Sequence, residues 1–323
     1  MKISIITPCY NAASYIEQTI NSILNQGYSN LEYIIIDGGS TDGTIEIIKK
    51  YADKLAYWVS EPDNGQSDVI NKGIAVATGE IFNWINADDY LEPNVLNLIA
   101  TEFLENEIDV VCTKTNLVDV NGLFLRINEA THVDWSFQRL MSYFGLNQQG
   151  MYWKLDVIRE LNGVNSSFNY GMDLDLWKRY LLSFGLDRTK KIDLISANFR
   201  LLETSKTGSD FEINAHLFQE ENNAALMQYA NELGGAYVKG IQYLFPNYKK
   251  DLVNKKVHSM LPKQFVKKWL LELFYSKAKE FFYANNFKAT HALIKLIPLT
   301  EYSGDELKNL KSFKRWSLVR KWI

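Results

Sequence analysis

The chain has 323 residues, enough at roughly 100–200 residues per domain for two domains or for one with a large appendage. Hydrophobic residues make up 46% and charged residues 23%, values that exclude a disordered, collagenous or coiled-coil chain. The net charge of -3 conceals an asymmetry: from Lys249 onward 17 Lys and Arg stand against 6 Asp and Glu, a net +11, which leaves residues 1–248 with 18 against 32, a net -14. No apolar run approaches the length of a membrane span, and Met1–Ile6 lacks the long apolar region of a secretory leader, so neither is expected. Cys9 and Cys112, with no metal-ligand spacing, read as buried thiols rather than a disulfide or zinc site.

Strand and helix patterns alternate through the first hundred residues. Lys2–Thr7 is an apolar run stopped by Pro8, and Ser14 with Glu17 has capping-box spacing for a helix to about Asn25, ended by Gly27. Leu31–Ile36 predicts a second strand, Thr44–Tyr51 a helix, and Leu55–Val59 a third strand. Ser67–Ala77 predicts a helix, Ile81–Ile85 a fourth strand, the stretch after Pro93 a helix, and Asp109–Thr113 a fifth strand. Such alternation implies βαβ units and a mostly parallel sheet covered on both faces. Ligands of such sheets bind beyond the carboxyl ends of the strands, here after Ile6, Ile36, Val59 and Ile85.

Further on, Asn121-Gly122 signals a hairpin and Met172–Phe184 a helix closed by Gly185. Beyond about Phe211 the pattern is helical, broken by Gly234-Gly235, Pro246, Pro262 and Pro298. The expected division is residues 1–210 and a helical extension over 211–323, basic from about 249.

Polar residues cluster where the strand-end rule directs attention. Neither a dinucleotide-binding glycine fingerprint nor a P-loop occurs. Asp37, before Gly38-Gly39, is either a turn residue or an acceptor for a nucleobase N–H or ribose hydroxyl; Asp42 reads as a helix cap. Asp88-Asp89 follows an apolar strand, and two adjacent carboxylates repel unless a cation or proton neutralises them. Magnesium sites are commonly built from one or two carboxylates plus substrate phosphates; the simpler alternative is helix N-terminal charge.

Taken together these segments resemble the inverting glycosyltransferases of family 2, with the GT-A fold. The matching segments are Thr7-Pro8-Cys9-Tyr10-Asn11, Asp37–Thr44, Asn86-Ala87-Asp88-Asp89 at the DxD position, and Tyr170–Trp177, with Gln148-Gln149, Asn162-Gly163 and Phe199-Arg200. Glu61–Lys72 is similar to a bacterial branch whose motif has the Asn-x-Asp-Asp form. The resemblance covers about residues 2–208. It implies an α/β GT-A sheet flanked by helices, with an α-helical C-terminal extension. It further implies that Thr7, Pro8, Tyr10 and Asp37 hold the nucleoside and that Asp68, Lys72 and Asn86 line the nucleotide-sugar site. By the same resemblance Asp88 and Asp89 hold Mn2+ or Mg2+, and Asp173 is the general base.

The implied donor is a nucleotide-diphosphate sugar, a UDP-sugar in this reading, and the acceptor a hydroxyl of a glycan or lipid-linked molecule in bacterial surface-polysaccharide synthesis. Two departures weigh on metal binding: Asn86 replaces an acid, and Leu202 stands where many members have a histidine. They leave open an inactive nucleotide-sugar-binding or scaffolding subunit. Arg200 is expected in an ordinary salt bridge. A nucleotidyltransferase would need a basic glycine-rich loop, which Thr7–Asn11 is not. The tail interleaves cations with Trp269, Trp316 and Trp322, a pattern suited to an anionic membrane surface rather than nucleic acid, the plainer alternative being a helical bundle with a solvated basic face; the favoured expectation is a cytoplasmic protein peripheral on the inner face of the membrane.

Overall fold

The computed structural model describes residues 1–131, 133, 146–203, 205, 221–223, 225–227, 229–246 and 263–320. They fall into two compact units, one holding the described residues up to 205 and one those from 221 onward. The expected boundary at 210/211 lies outside the described residues.

The first unit is built on β1 (Ile3–Cys9), α1 (Ile16–Leu24), β2 (Leu31–Asp37), α2 (Thr44–Lys49), β3 (Tyr57–Ser60), α3 (Gln66–Val76) and β4 (Ile81–Trp84). It continues through β5 (Tyr90–Leu91), α4 (Val95–Glu105), β6 (Val110–Val118), β7 (Phe124–Asn128), β8 (Met151–Lys154), α5 (Leu155–Glu160), α6 (Met172–Phe184) and β9 (Thr189–Arg200). The strands form one sheet in the order β3-β2-β1-β4-β8-β6-β9-β5, with β7 paired to β6. β1, β2, β3 and β4 are mutually parallel, as are β6 and β9, while β8 runs antiparallel to both its neighbours. This is the mixed, mostly parallel GT-A sheet.

Every residue of β1 is buried because helices cover both faces. On one face Ile16, Ile20 and Ile23 of α1 and Leu96, Ile99 and Phe103 of α4 join Ile3 and Ile5 in a single core. Each such side chain contributes roughly 1.5–3 kcal/mol by leaving water. On the other face α3 approaches so closely that a Cβ on Gly73 would lie 2.6 Å from Ile6.

β1 runs through Pro8, where the sequence predicts a stop. Pairing with β4 ends at Ile6 opposite Trp84, so the N–H that Pro8 lacks costs no ladder bond, and Pro8 still pairs with Ile36 in register. The Ser14–Glu17 capping box does not form. Instead the chain before α1 is held from the α2 turn: Thr44 Oγ1 accepts from Ala12 N at 2.8 Å and Asp42 from Ala13 N at 3.0 Å.

In the second unit, α7 (Gly235–Leu244), α8 (Lys263–Tyr283), α9 (Phe287–Leu296) and α10 (Gly304–Arg320) pack together. Trp269, Leu270, Phe274, Leu293, Leu310 and Phe313 are buried, and Phe282 stacks on Phe313 with ring centroids 4.4 Å apart. Trp269 is therefore core. Trp322 lies outside the described residues. Among the described residues no helix is long and apolar enough to cross a membrane.

Candidate functional site

Four parallel strands deliver their following loops to one edge of the sheet. The loop after β2 is organised by Asp37, itself buried. Its carboxylate accepts from Gly39 N (3.1 Å), Ser40 N (2.9 Å), Ser60 Oγ (2.6 Å) and Ser40 Oγ. A carboxylate has about four acceptor positions, so these donors occupy nearly all of its capacity. Thr7 also faces inward, its hydroxyl 3.0 Å from that of Tyr33. Pro8 is buried, whereas Tyr10 is 63% exposed. Of the four residues expected at the nucleoside, Tyr10 is thus the one that presents its side chain outward.

Beside Tyr10 the surface is completed by Gly38 and Asp63. A Cβ on Gly38 would collide with the Asp63 carboxylate and sit 3.4 Å from the Tyr10 ring. Asp63 is anchored from below by Gly65 N at 2.6 Å. On α3, Lys72 lies 2.8 Å from Glu61 and 3.5 Å from Asp68, so Asp68 and Lys72 are brought together with a third, unforeseen partner.

The loop after β4 divides its two acids. Asp89 is wholly buried, and its carboxylate accepts from Gln149 Nε2 (2.9 Å), Asn86 Nδ2 (3.1 Å) and Arg200 N (2.9 Å). Burial, then the neighbouring Asp88 charge, push its carboxyl well above the usual carboxylate range. Asp88 is half-buried, and among the described residues its carboxylate takes no side-chain hydrogen bond. Burial raises its carboxyl too, opposed first by a hydrogen bond from its own backbone N–H and then by the Arg200 guanidinium. The two acids therefore differ: three protein donors hold Asp89, while Asp88 takes no side-chain donor among the described residues and only its own backbone N–H. Asn86 is occupied as a relay, its Oδ1 accepting from Gln66 Nε2 at 2.8 Å.

Arg200 makes no ordinary salt bridge among the described residues. Its guanidinium donates to Asp88 O (3.0 Å), Val120 O (2.8 Å), Asp119 O (3.4 Å) and Gln18 Oε1 (2.6 Å), lying between the rings of Tyr15 and Tyr90. It ties the Asp88 loop to α1 and to the β6–β7 turn. Leu202, one residue past the strand-extending Leu201, contributes no metal-binding atom.

α3 connects this loop to α6. Gln66 holds Asn86, while the neighbouring Ser67 hydroxyl lies 3.0 Å from Phe168 O and 2.8 Å from Met172 Sδ. One turn on, Asn71 exchanges two hydrogen bonds with Val164, at 2.8 and 2.9 Å. Gly163, at φ +70°, leaves room for Asn71 where a Cβ would overlap it. These contacts fix the first turn of α6, where Asp173 is half-buried at a helix N-terminus that favours negative charge. Asp175 turns inward to a buried pair with Arg179 at 2.7 Å, and Arg179 also donates to Leu161 O and Gly163 O.

Sequence reasoning gave no role to Gln66, Asp63 or Gln149. The signal for each was only its place in a segment that resembles the family, Gln148-Gln149 for Gln149 and Glu61–Lys72 for Asp63 and Gln66. Among the described residues no group of three or more His, Cys, Asp or Glu could hold a metal ion.

A GT-A sheet with polar loops gathered at the ends of β1 to β4 defines the class of nucleotide-sugar-transferase folds. The sequence profile described as "Glycosyl transferase family 2" matches residues 4–169, and the chain belongs to that family. An uncharacterized glycosyltransferase of Nostoc sp. is 34% identical over 124 residues, 38% of each chain. The chondroitin synthase of Pasteurella multocida is 36% identical over 121 residues, 37% of this chain and 12% of that one. The chain thus spans well under two thirds of these relatives' length. Among solved structures, S. aureus TarS 1-349 in complex with UDP-GlcNAc superposes with a TM-score of 0.55 at 19% identity, covering 98% of this chain and 91% of that one. The mannosyltransferase PcManGT of Pyrobaculum calidifontis, in complex with GDP-Man and Mn2+, does so at 0.50 and 15%, covering 99% and 84%. At such identities the likeness is one of fold.

Proposed function

We propose that this chain transfers a sugar from a nucleotide-diphosphate donor, a UDP-sugar, to a hydroxyl of a glycan or lipid-linked acceptor with inversion, in surface-polysaccharide synthesis. The observation that carries the reading is the split acid pair. Asp89 takes three protein donors in holding the loop, which leaves Asp88 the more open acid of the Asn-x-Asp-Asp form of the motif. Family membership supports the reaction class. Neighbours of the same fold bound to UDP-GlcNAc or to GDP-Man with Mn2+ support the donor class, and the chondroitin synthase relative supports a polysaccharide product.

Asp88, half-buried and without a side-chain donor among the described residues, would hold a divalent ion, a single carboxylate together with substrate phosphates being a common way to bind Mg2+. When bound there, such an ion neutralises charge growing on the departing diphosphate. In this reading Tyr10, Gly38 and Asp63 form the nucleoside surface, with Pro8 and the Thr7 backbone beneath it. Asp37 shapes the loop at the base and ribose, and Asn86 with Asp68 and Lys72 borders the diphosphate sugar. Asp173 accepts the acceptor hydroxyl's proton as that oxygen attacks the anomeric carbon, while the bonding pair to the leaving oxygen departs with the nucleoside diphosphate.

The test is thermal protection by a panel of nucleotide-diphosphate sugars with and without manganese. A donor at about 100 times its Kd stabilises by about 2.7 kcal/mol. Protection by at least one donor, dependent on manganese, is expected. No protection by any donor, or protection indifferent to manganese, refutes the reading.

A further inference from the structure

Part of the tail's positive charge lies on α10, which carries five Lys and Arg against two acids. Its inner side is spent in packing: Leu310, Phe313 and Ser317 are buried, with Phe313 against Phe282 and Ser317 3.4 Å from His291. At 100° per residue the opposite side carries Lys308, Arg315 and Val319 along its centre, flanked by Lys311 and Leu318 on one edge and Trp316 on the other. All six are exposed, Val319 at 63% and Trp316 at 48%. The acids of this helix, Asp305 and Glu306, are confined to its first turn. Beside the Trp316 edge stands Tyr283, 68% exposed, its ring against Phe313.

A purely solvated helix face has no use for Trp316, Leu318 and Val319 among its cations. Water excludes those three, while Lys308, Lys311 and Arg315 attract anions. The two demands are met together at the interface of an anionic bilayer, where cations pair with headgroups and apolar side chains enter the acyl boundary. Nucleic-acid backbones would satisfy the cations but leave the apolar side chains in water. We propose that the outer face of α10 is a docking surface for an anionic phospholipid bilayer. An acceptor held at a bilayer, as in the preceding reading, gives this docking its use.

The test is co-sedimentation of the full chain with vesicles of zwitterionic phospholipid alone and with about a third anionic phospholipid, at low and high salt. Wild type is expected to pellet with the anionic vesicles at low salt, to be largely released at high salt, and to ignore the zwitterionic ones. The double variant Lys308→Glu/Arg315→Glu should lose at least about thirtyfold in vesicle affinity, since each basic residue near the surface contributes about fivefold. Trp316→Ser/Val319→Ser should lose about tenfold. All six positions are exposed, so the variants should melt with wild type, and neither should lose donor protection. The assay contains neither donor nor acceptor, so docking and transfer can fail separately.

Absence of wild-type binding to anionic vesicles at low salt overturns the proposal, as do variants that pellet as well as wild type. It is overturned equally if the variants convert an oligomer to a monomer while vesicle binding is unchanged, which makes the face a contact between copies. Tighter binding to nucleic acid that depends on Lys308 and Arg315 but not on Trp316 overturns it too.

Discussion

Arg200→Lys isolates the device that holds the Asp88 loop. The guanidinium reaches three oxygens at 2.6–3.0 Å, on Gln18, Val120 and Asp88, that lie around a planar fork. A lysine ammonium is a point charge on a flexible stem that cannot span the fork the guanidinium's three nitrogens serve, so about two of the three bonds are lost. The bonds are only part-buried, Gln18 and Val120 being exposed, so losing two of them costs about 0.5–1.5 kcal/mol each. The contacts with the Tyr15 and Tyr90 rings weaken as well, adding on the order of 0.5–1 kcal/mol. The sum is about 1.5–4 kcal/mol, or a fall of roughly 5–10 °C in the melting midpoint of the unit that holds the sheet. Calorimetry reads that midpoint. Titration with a donor nucleotide in manganese reads the second consequence, an affinity lowered by about tenfold as the Asp88 carbonyl is released, each 1.4 kcal/mol being a factor of ten. A variant that melts within about 2 °C of wild type and binds donor equally well would refute the reasoning.

Three further outcomes follow from particular contacts. Glu32 is buried, which by itself raises its carboxyl, but hydrogen bonds from Lys2, Ser4 and Thr78 outweigh burial and hold it down to about 2. A depressed carboxyl stabilises above its unfolded value and loses that contribution as pH falls through its folded one. Wild type should therefore exceed Glu32→Gln by about 2 kcal/mol at neutral pH in urea unfolding, the gap closing between roughly pH 4.5 and 2. Gly38→Ala pushes on the end of the flexible Asp63 side chain, so stability should change by less than about 1 kcal/mol while nucleoside diphosphate affinity falls tenfold or more by calorimetric titration. Asp175→Asn strands the buried Arg179, at about 3–5 kcal/mol in the same unfolding assay, unlike Asp173→Asn.

β1, β2 and β4 were legible because helices bury both their faces, leaving apolar runs punctuated by glycine, proline and aspartate, and the half-exposed edge strand β3 was legible from its aromatic and β-branched residues. β8 and β9 were not. Met151–Lys154 is too short to show a period, and Thr189–Arg200 carries Lys190, Lys191 and Asp193 because much of it is half-exposed. Its strand character comes from pairing with β6, more than 70 residues away in sequence. The site shows the same division. An apolar strand followed by two acids locates the loop, but nothing local says which acid is open. That choice is made by Gln149 and Arg200, 60 and 111 residues distant. Likewise the sequence leaves Asp37 open between turn residue and ligand; Gly39 and Ser40 donate to it within its own turn, and only the fold adds Ser60.

The division of labour between Asp88 and Asp173 is tested most directly by measuring donor binding and sugar transfer separately in Asp88→Asn and Asp173→Asn. Asp88→Asn should lose manganese-dependent donor binding and with it transfer. Asp173→Asn should bind donor within about twofold of wild type while turnover falls by roughly a hundredfold or more, the scale of a lost general base. Manganese-dependent donor binding unchanged in Asp88→Asn, or full transfer by Asp173→Asn, would contradict the account.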